Sequence, residues 1–427
     1  MTHAEKPAPA EVRAPGTAIV VGGGIVGLAC SVELQRRGIA TLMLDPAMLP
    51  RSASWGNAGH IATEQVEPLA APGALASLPR RLFSRGGAAA FPVRDFGAWL
   101  PFGWRLLRAS RPERFNAGKS ALKSLVARAL PAWQRLTTAT GTSAMLADDG
   151  HFVVWESEAR AKAGRERWAR SDIGTASFQG LTSQELGWLS SLVGARPVDG
   201  LRFSGTGRVR DPGELHESLA RAFTQSGGEC HRASVAGIEL DRSHARARLA
   251  GGAVLDADLI VVAAGVASAQ LLRPLGHRAP VIAERGYHLQ APSAAWPDMP
   301  PVVFEDRSMI VSRFNSGLRA ASFVEFSRVT SPPDPRKWQR LRAHAQALRL
   351  PFDGEPLEWM GVRPTLPDYL PAIGRSAQAR NLLYAFGHQH LGLTLAAVTA
   401  ELIGDLAENT PPPVDLAPFD VRRFGGA

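Results

Sequence analysis

The chain has 427 residues, 45% of them hydrophobic and 20% charged, a balance that excludes disordered and fibrous classes and allows two domains with separate cores. Its net charge of +9 comes from scattered arginines without a recognition motif, which argues against nucleic acid as a partner. The two cysteines, Cys30 and Cys230, exclude a disulfide framework and offer no metal-type spacing, so a reducing compartment fits and no metal is expected.

Residues 1–16 hold Glu5, Glu11 and three prolines but no apolar segment, and read as a disordered leader rather than a signal peptide. Residues 18–21 then form a strand-like run that meets Gly22-Gly-Gly-Ile-Val-Gly27, an apolar helical stretch, and a second strand-like run ending at Asp45. A helix N-terminus that holds a pyrophosphate needs Gly22 for the tight turn, Gly24 for close backbone approach and Gly27 for packing helix on strand. Ile25 and Val26 open that helix, and Asp45 suits a ribose hydroxyl. Strand, glycines, helix, strand and terminal acid in this order point to dinucleotide binding.

Residues 52–60 follow as an extended turn of small side chains, fit to lie against something flat. A segment over 75–115 mixes Arg80, Arg81, Arg94, Arg105 and Arg108 with Phe83, Trp99, Phe102 and Trp104. It has two readings: a surface for a membrane interface, or a helical subdomain packed on the core. Residues 117–140 place Leu122, Leu125, Leu130, Trp133 and Leu136 near helical spacing and read as core. A loop at 208–213 leads into a helix over 214–226. Short strands at 235–240 and 245–249 precede a buried parallel strand that runs into Ala264 and Gly265. Alternating runs over 281–326 predict an antiparallel sheet in a different domain, followed by a helix over 335–348. The tail carries a proline-rich loop at 361–374, a strand at 381–386, and Gly387-His-Gln-His-Leu-Gly-Leu-Thr394 entering an apolar helix. The free N–H groups of that entry would aim a second helix dipole at a cofactor. No uninterrupted apolar run reaches the roughly 18 residues of a membrane span.

In this order the N-terminal fingerprint, the Ala-Ala-Gly at 263–265, the Gly-Val-Arg-Pro at 361–364 and the Gly-His…Gly-Leu-Thr at 387–394 resemble the FAD-dependent D-amino acid oxidase superfamily over nearly the whole chain. Ser54-Trp-Gly-Asn-Ala-Gly59 and Pro68-Leu-Ala-Ala-Pro-Gly73 are similar to its D-amino acid dehydrogenase branch, and residues 384–394 to the D-hydroxyproline dehydrogenases. The resemblance implies an α/β plus α+β fold, in which a Rossmann-like FAD-binding domain (17–74, 200–275 and 355–427) is interleaved with a substrate domain (75–199 and 276–354) built on an antiparallel sheet. By position in the motifs, Gly22, Gly24 and Gly27 would approach the FAD pyrophosphate, Asp45 the ribose, and Val235 the adenine side. Ser54, Asn57, Ala58 and Gly59 would line the ring edge, with His60 close by, and Gly387, His388, Gly392, Leu393 and Thr394 the pyrimidine end, where negative charge develops on reduction.

Oxidation at Cα by this chemistry needs the substrate held and water removed rather than a nucleophile. A guanidinium best anchors the substrate carboxylate, and Arg363, in the position where related amine oxidases hold it, is the candidate; the alternative is a structural pair with Asp368. Of the three tyrosines, Tyr287 is the expected helper in the clamp, and His288 and His390 are candidates to touch a substrate hydroxyl or amine. The implied activity is a dehydrogenase acting on a D-amino or cyclic imino acid, exemplified by cis-4-hydroxy-D-proline, with electrons passed to an acceptor such as a quinone. The implied location is cytoplasmic, peripheral on the inner face of the membrane. An oxygen-using glycine or sarcosine type oxidase and a non-catalytic FAD-bound subunit stand as alternatives.

Overall fold

The computed structural model describes residues 14–47, 52–73, 78–241 and 244–425; the expected leader lies outside them up to residue 13. The strand Thr17–Val21, the helix Ile25–Arg36 and the strand Ala40–Leu44 form as the fingerprint requires. Gly22 sits at φ +115°, and a Cβ on Gly27 would stand 1.9 Å from the Gly22 carbonyl oxygen. Only glycine at both places lets this helix start so close to its strand. Five parallel strands run in the order Glu229–His231, Ala40–Leu44, Thr17–Val21, Leu259–Val262 and Leu382–Phe386, with Ala372–Arg375 antiparallel at the edge.

One face of this sheet is covered by Ile25–Arg36, Pro212–Gln225 and Gly392–Ala407, with Pro112–Ala139 packed outside them. Leu28, Leu125, Trp133, Leu219 and Val398 are among the buried residues of that core, and the Trp133 indole donates to the Leu393 carbonyl at 2.9 Å. The other face is covered by the meander Val235–Leu240, Ala245–Leu249 and Val254–Ala257. Among the described residues one helix, Gln389–Ala407, has the length and mean apolarity to cross a membrane, although polar residues interrupt its apolar run; 72% of its most apolar stretch is buried within the fold, as the central core helix.

The second sheet has nine strands. Its main path is Leu357–Thr365, Ile282–Ala291, Gly317–Ser327, Met309–Phe314, Val302–Phe304, His151–Trp155, Asp199–Ser204 and Ser177–Gly180, antiparallel except where Val302–Phe304 meets His151–Trp155. Helix Pro335–Ala347 packs on one face through Leu341 and Ala345 against Tyr287 and Leu289. The architecture is thus a Rossmann-like α/β domain interleaved with a largely antiparallel sheet domain.

Three expected domain boundaries move. Asp199–Ser204 is an interior strand of the second sheet, so the return to the first lies beyond residue 204. Leu357–Thr365 pairs along Ile282–Ala291 and is the second sheet's edge, not part of the first domain. Helix Pro112–Ala139, assigned with the substrate part, buries its apolar stripe in the first core. Local periodicity gives a segment's conformation, whereas partner choice is set by long-range packing.

Candidate active site

A cavity of about 2200 Å³ runs between the two sheets, larger than an ordinary small-molecule pocket. One end is the glycine turn. Gly22, Gly23, Gly24, Ile25 and Val26 line it, and Gly24 caps the helix with no side-chain hydrogen bond. A Cβ on Gly24 would meet only Ser54 Oγ, at 3.6 Å, so backbone borders open cavity there. Gly27 does not line the cavity; its place is against Gly22. Asp45 lines the same end, with Oδ2 accepting from Gly23 N at 2.7 Å, which ties the acid to the turn. Val235 also lines it, beyond Ala233, whose N–H donates to the Asp45 carbonyl at 3.2 Å. Ala264 and Gly265 close the side over the parallel strand, Gly265 at φ +57°.

In the middle, Ser54, Asn57 and Ala58 border the cavity. Ser54 Oγ accepts from Ile25 N at 3.1 Å, and Asn57 Oδ1 is turned into its own loop, accepting from Gly59 N at 2.8 Å. Gly59 does not line the cavity; at φ +73° it passes under Phe314, which a Cβ would meet at 2.5 Å. Arg319, buried beneath, donates to the carbonyls of Trp55 and Asn57 and holds the loop's shape. Opposite, His388, Gly392, Leu393 and Thr394 line the cavity at the start of the core helix. Gly387 stands behind them in a left-handed turn at φ +78° against Leu366. His388 Nε2 meets Thr399 Oγ1 at 3.0 Å, and burial pushes the imidazole down to about 3, so it is neutral. Thr394 Oγ1 accepts from Ala62 N at 3.0 Å.

Elsewhere along the cavity, Arg363 and Glu284 face each other across neighbouring strands. The Arg363 side chain is 27% exposed, toward the cavity, and Glu284 is fully buried. Nη1 makes both of the guanidinium's protein hydrogen bonds, to Glu284 Oε1 at 3.2 Å and the Phe323 carbonyl at 3.4 Å. Among the described residues Nε and Nη2 have no such partner. The guanidinium lies over Gly286, where a Cβ would meet Nη2 at 2.3 Å and Cζ at 2.7 Å. Glu284 also accepts from Thr365 Oγ1 at 3.0 Å and Tyr369 OH at 3.2 Å. Burial, and then the Glu284 charge, hold that phenol well above its ordinary range, so it stays a donor. Asp368, weighed as the structural partner of Arg363, instead pairs with Arg423 at 2.6 Å. His390 also lines the cavity; its Nε2 meets Gln65 Oε1 at 2.6 Å, and burial lowers it to about 4.

Two expected residues are engaged in other contacts. Tyr287 lines the cavity too, but its side chain leaves the strand on the face opposite Glu284 and Gly286, and its hydroxyl donates to Glu325 at 3.1 Å and accepts from Asp334 N at 3.2 Å, beside the buried Arg285–Glu325–Lys337 ion cluster. Strand alternation, which turns successive side chains to opposite faces, puts it there. His288 shares the face of Glu284 but is covered by Trp359, stacked at 4.8 Å, and its Nδ1 meets the Gly56 carbonyl at 3.3 Å. The sequence reading missed Glu284, Gly286 and Tyr369. Counting by twos from Glu284 through Gly286 was the available signal for the first pair.

Residues 17–406 match the family described as DAO, FAD dependent oxidoreductase. A D-amino-acid oxidase of Bradyrhizobium diazoefficiens is 30% identical over 413 residues, covering 95% of this chain and 98% of that one. A D-amino acid dehydrogenase of Cereibacter sphaeroides is 27% identical over 429 residues, 95% of each. Among solved structures, iminodiacetate oxidase from Chelativorans sp. BNC1 superposes with a TM-score of 0.70 at 20% identity, covering 94% of this chain and 98% of that one. Glycine oxidase from Geobacillus kaustophilus gives 0.69 at 21%, covering 96% and 99%.

Proposed function

Because the chain belongs to the DAO family of FAD-dependent oxidoreductases, we propose that it is a dehydrogenase that oxidises a D-amino or cyclic imino acid, foremost cis-4-hydroxy-D-proline, to its imine and passes the electrons to a quinone. FAD, when bound, supplies the acceptor for the hydride leaving the substrate Cα. The glycine turn and the Gly392–Ala407 entry fit that cofactor: both present helix-start backbone to the cavity, and the first has glycines where a Cβ would fill the space.

The observation that carries the reading is the Arg363–Glu284 pair. Two donor positions of one guanidinium, Nε and Nη2, are left for a carboxylate, and a planar guanidinium reads a carboxylate through two parallel bonds. Glu284 fixes the other edge, so the anchor is held before substrate arrives. His390, neutral through burial, is the proposed acceptor of the amine proton; an amide oxygen at Nε2 leaves the lone pair on Nδ1. The preference for a hydroxyproline rests on the likeness of residues 384–394.

A surface use for the basic aromatic segment is supported by helix Phe96–Ala109, which buries Phe102 alone. Phe96, Leu100, Trp104 and Leu107, between 46% and 64% exposed, fall on one arc of about 80° at 100° per residue. Arg94, Arg105, Arg108 and Arg111 are exposed around them. The proposal places this face on the anionic inner surface of a membrane, where a quinone is within reach. An oxidase is the second reading, favoured by the relative named as one at 30% identity. Turnover with a dye or quinone in air, without hydrogen peroxide, supports the dehydrogenase; stoichiometric peroxide supports the oxidase.

A further inference from the structure

We infer that His60, Glu64 and His151 form a binding site for a divalent first-row transition metal ion in the wall of the cavity. The three are brought together by the fold: His60 begins the short strand His60–Ile61, Glu64 lies four residues on, and His151 begins a strand of the second sheet. One ligand atom from each lies within 4.8 Å of the others. His60 Nε2 is 3.1 Å from Glu64 Oε1, and the two imidazoles meet edge to face at 4.5 Å between centroids. Small side-chain rotations bring such atoms to the ~3.4 Å mutual spacing implied by metal–nitrogen bonds of about 2.1 Å in a tetrahedron.

Two independent features point to a ligand. Glu64 Oε2 and His60 Nδ1 are buried with no hydrogen-bond partner among the described residues, in side chains 2% and 9% exposed. A buried carboxylate oxygen left unpaired is costly, and a cation removes that cost. His151 is also arranged as a ligating histidine is: its Nδ1 is taken by Thr206 Oγ1 at 3.0 Å, which leaves Nε2 as the ligand nitrogen, and Phe203 stacks on the ring at 4.4 Å and fixes its plane. The neighbouring cation, Arg208, paired with His60 in register, is engaged by Asp149 and Asp298 rather than by Glu64.

Two imidazoles and one carboxylate suit zinc, iron(II) or manganese, and leave at least one position open. All three residues line the cavity that also holds Arg363, so the open position faces the space a substrate fills, and an oxygen ligand there completes the shell. The site does not depend on the proposed substrate.

The test uses the FAD-loaded protein, stripped with a chelator and dialysed against zinc chloride, with metal counted by mass spectrometry and FAD by absorbance. About one zinc per chain is expected, with affinity falling at least tenfold in Glu64→Gln and His151→Ala while FAD occupancy is kept. X-ray absorption at the zinc edge of the unsubstituted protein is expected to report two imidazole ligands, which keeps the test independent of whether the variants fold. Failure of the unsubstituted protein to retain zinc, an unchanged stoichiometry and affinity in FAD-replete variants, or an imidazole-free zinc shell overturns the site.

Discussion

Replacing Gly286 by alanine moves the proposed anchor without touching its charge. The new Cβ stands 2.3 Å from Arg363 Nη2 and 2.7 Å from Cζ, and a carbon contact relaxes only near 3.5 Å. Gly286 lies opposite Gly361 in the ladder between two strands, so the guanidinium gives way, by about 1 Å. Nε and Nη2 together offer a carboxylate two charge-assisted bonds of about 1.5 kcal/mol each. Losing one costs roughly tenfold in affinity and losing both roughly a hundredfold, which is also what a 1 Å misplacement costs elsewhere. The assay is anaerobic titration of the bound flavin's absorbance with a carboxylate substrate, beside the FAD content. The expected result is a 10- to 100-fold weaker substrate, with FAD occupancy unchanged. Unweakened binding in a folded, FAD-replete Gly286→Ala protein refutes the placement of the carboxylate at Arg363.

Arg363→Ala removes the anchor and strands the buried Glu284, so it should raise KM more than Gly286→Ala does and also lower Tm; adding Glu284→Gln should restore Tm but not KM, as thermal unfolding and steady-state kinetics of the three proteins will show. Tyr287→Phe should leave KM unchanged and cost about 1 kcal/mol of stability in denaturant titration, because its hydroxyl serves Glu325 and Asp334. Gly22→Ala, forced to φ +115° with its Cβ 2.4 Å from the Ala263 carbonyl oxygen, should purify without FAD, as the ratio of flavin to protein absorbance reports. Leu100→Glu with Trp104→Glu should reduce co-sedimentation with anionic vesicles severalfold and leave dye-linked turnover intact, since both side chains stand exposed and far from burial.

Local chemistry made the first part of this fold legible. Gly27 packs on the Gly22 carbonyl, Asp45 accepts from Gly23 N and Gly22 N donates to the Leu44 carbonyl, all within one strand-turn-helix-strand unit, so their spacing carries that geometry. Arg363 was legible as a donor, but its partner was not: Glu284 lies 79 positions away and meets it only through strand register. Tyr287 and Tyr369 offer the same hydroxyl chemistry, and what separates them is again non-local: the Tyr287 hydroxyl meets Glu325 from within its strand, whereas Tyr369, in the turn after Leu357–Thr365, meets Glu284. Asp199–Ser204 and Leu357–Thr365 are strands the sequence did not announce, the second running into what reads as a proline-rich loop, and nothing local states which sheet an extended segment joins. The cluster of His60, Glu64 and His151 was hidden more deeply, because its third member comes from a different sheet, nearly ninety residues on.

The measurement that bears most directly on the activity is anaerobic loss of the oxidised flavin absorbance on mixing with D- and L-amino acids, including cis-4-hydroxy-D-proline, D-proline, D-alanine, glycine and sarcosine. Rapid bleaching by D-proline types, slower bleaching by other D-amino acids, and none by the L-enantiomers is the predicted result. Bleaching by L-amino acids alone, or by none of the panel in FAD-replete protein, contradicts it.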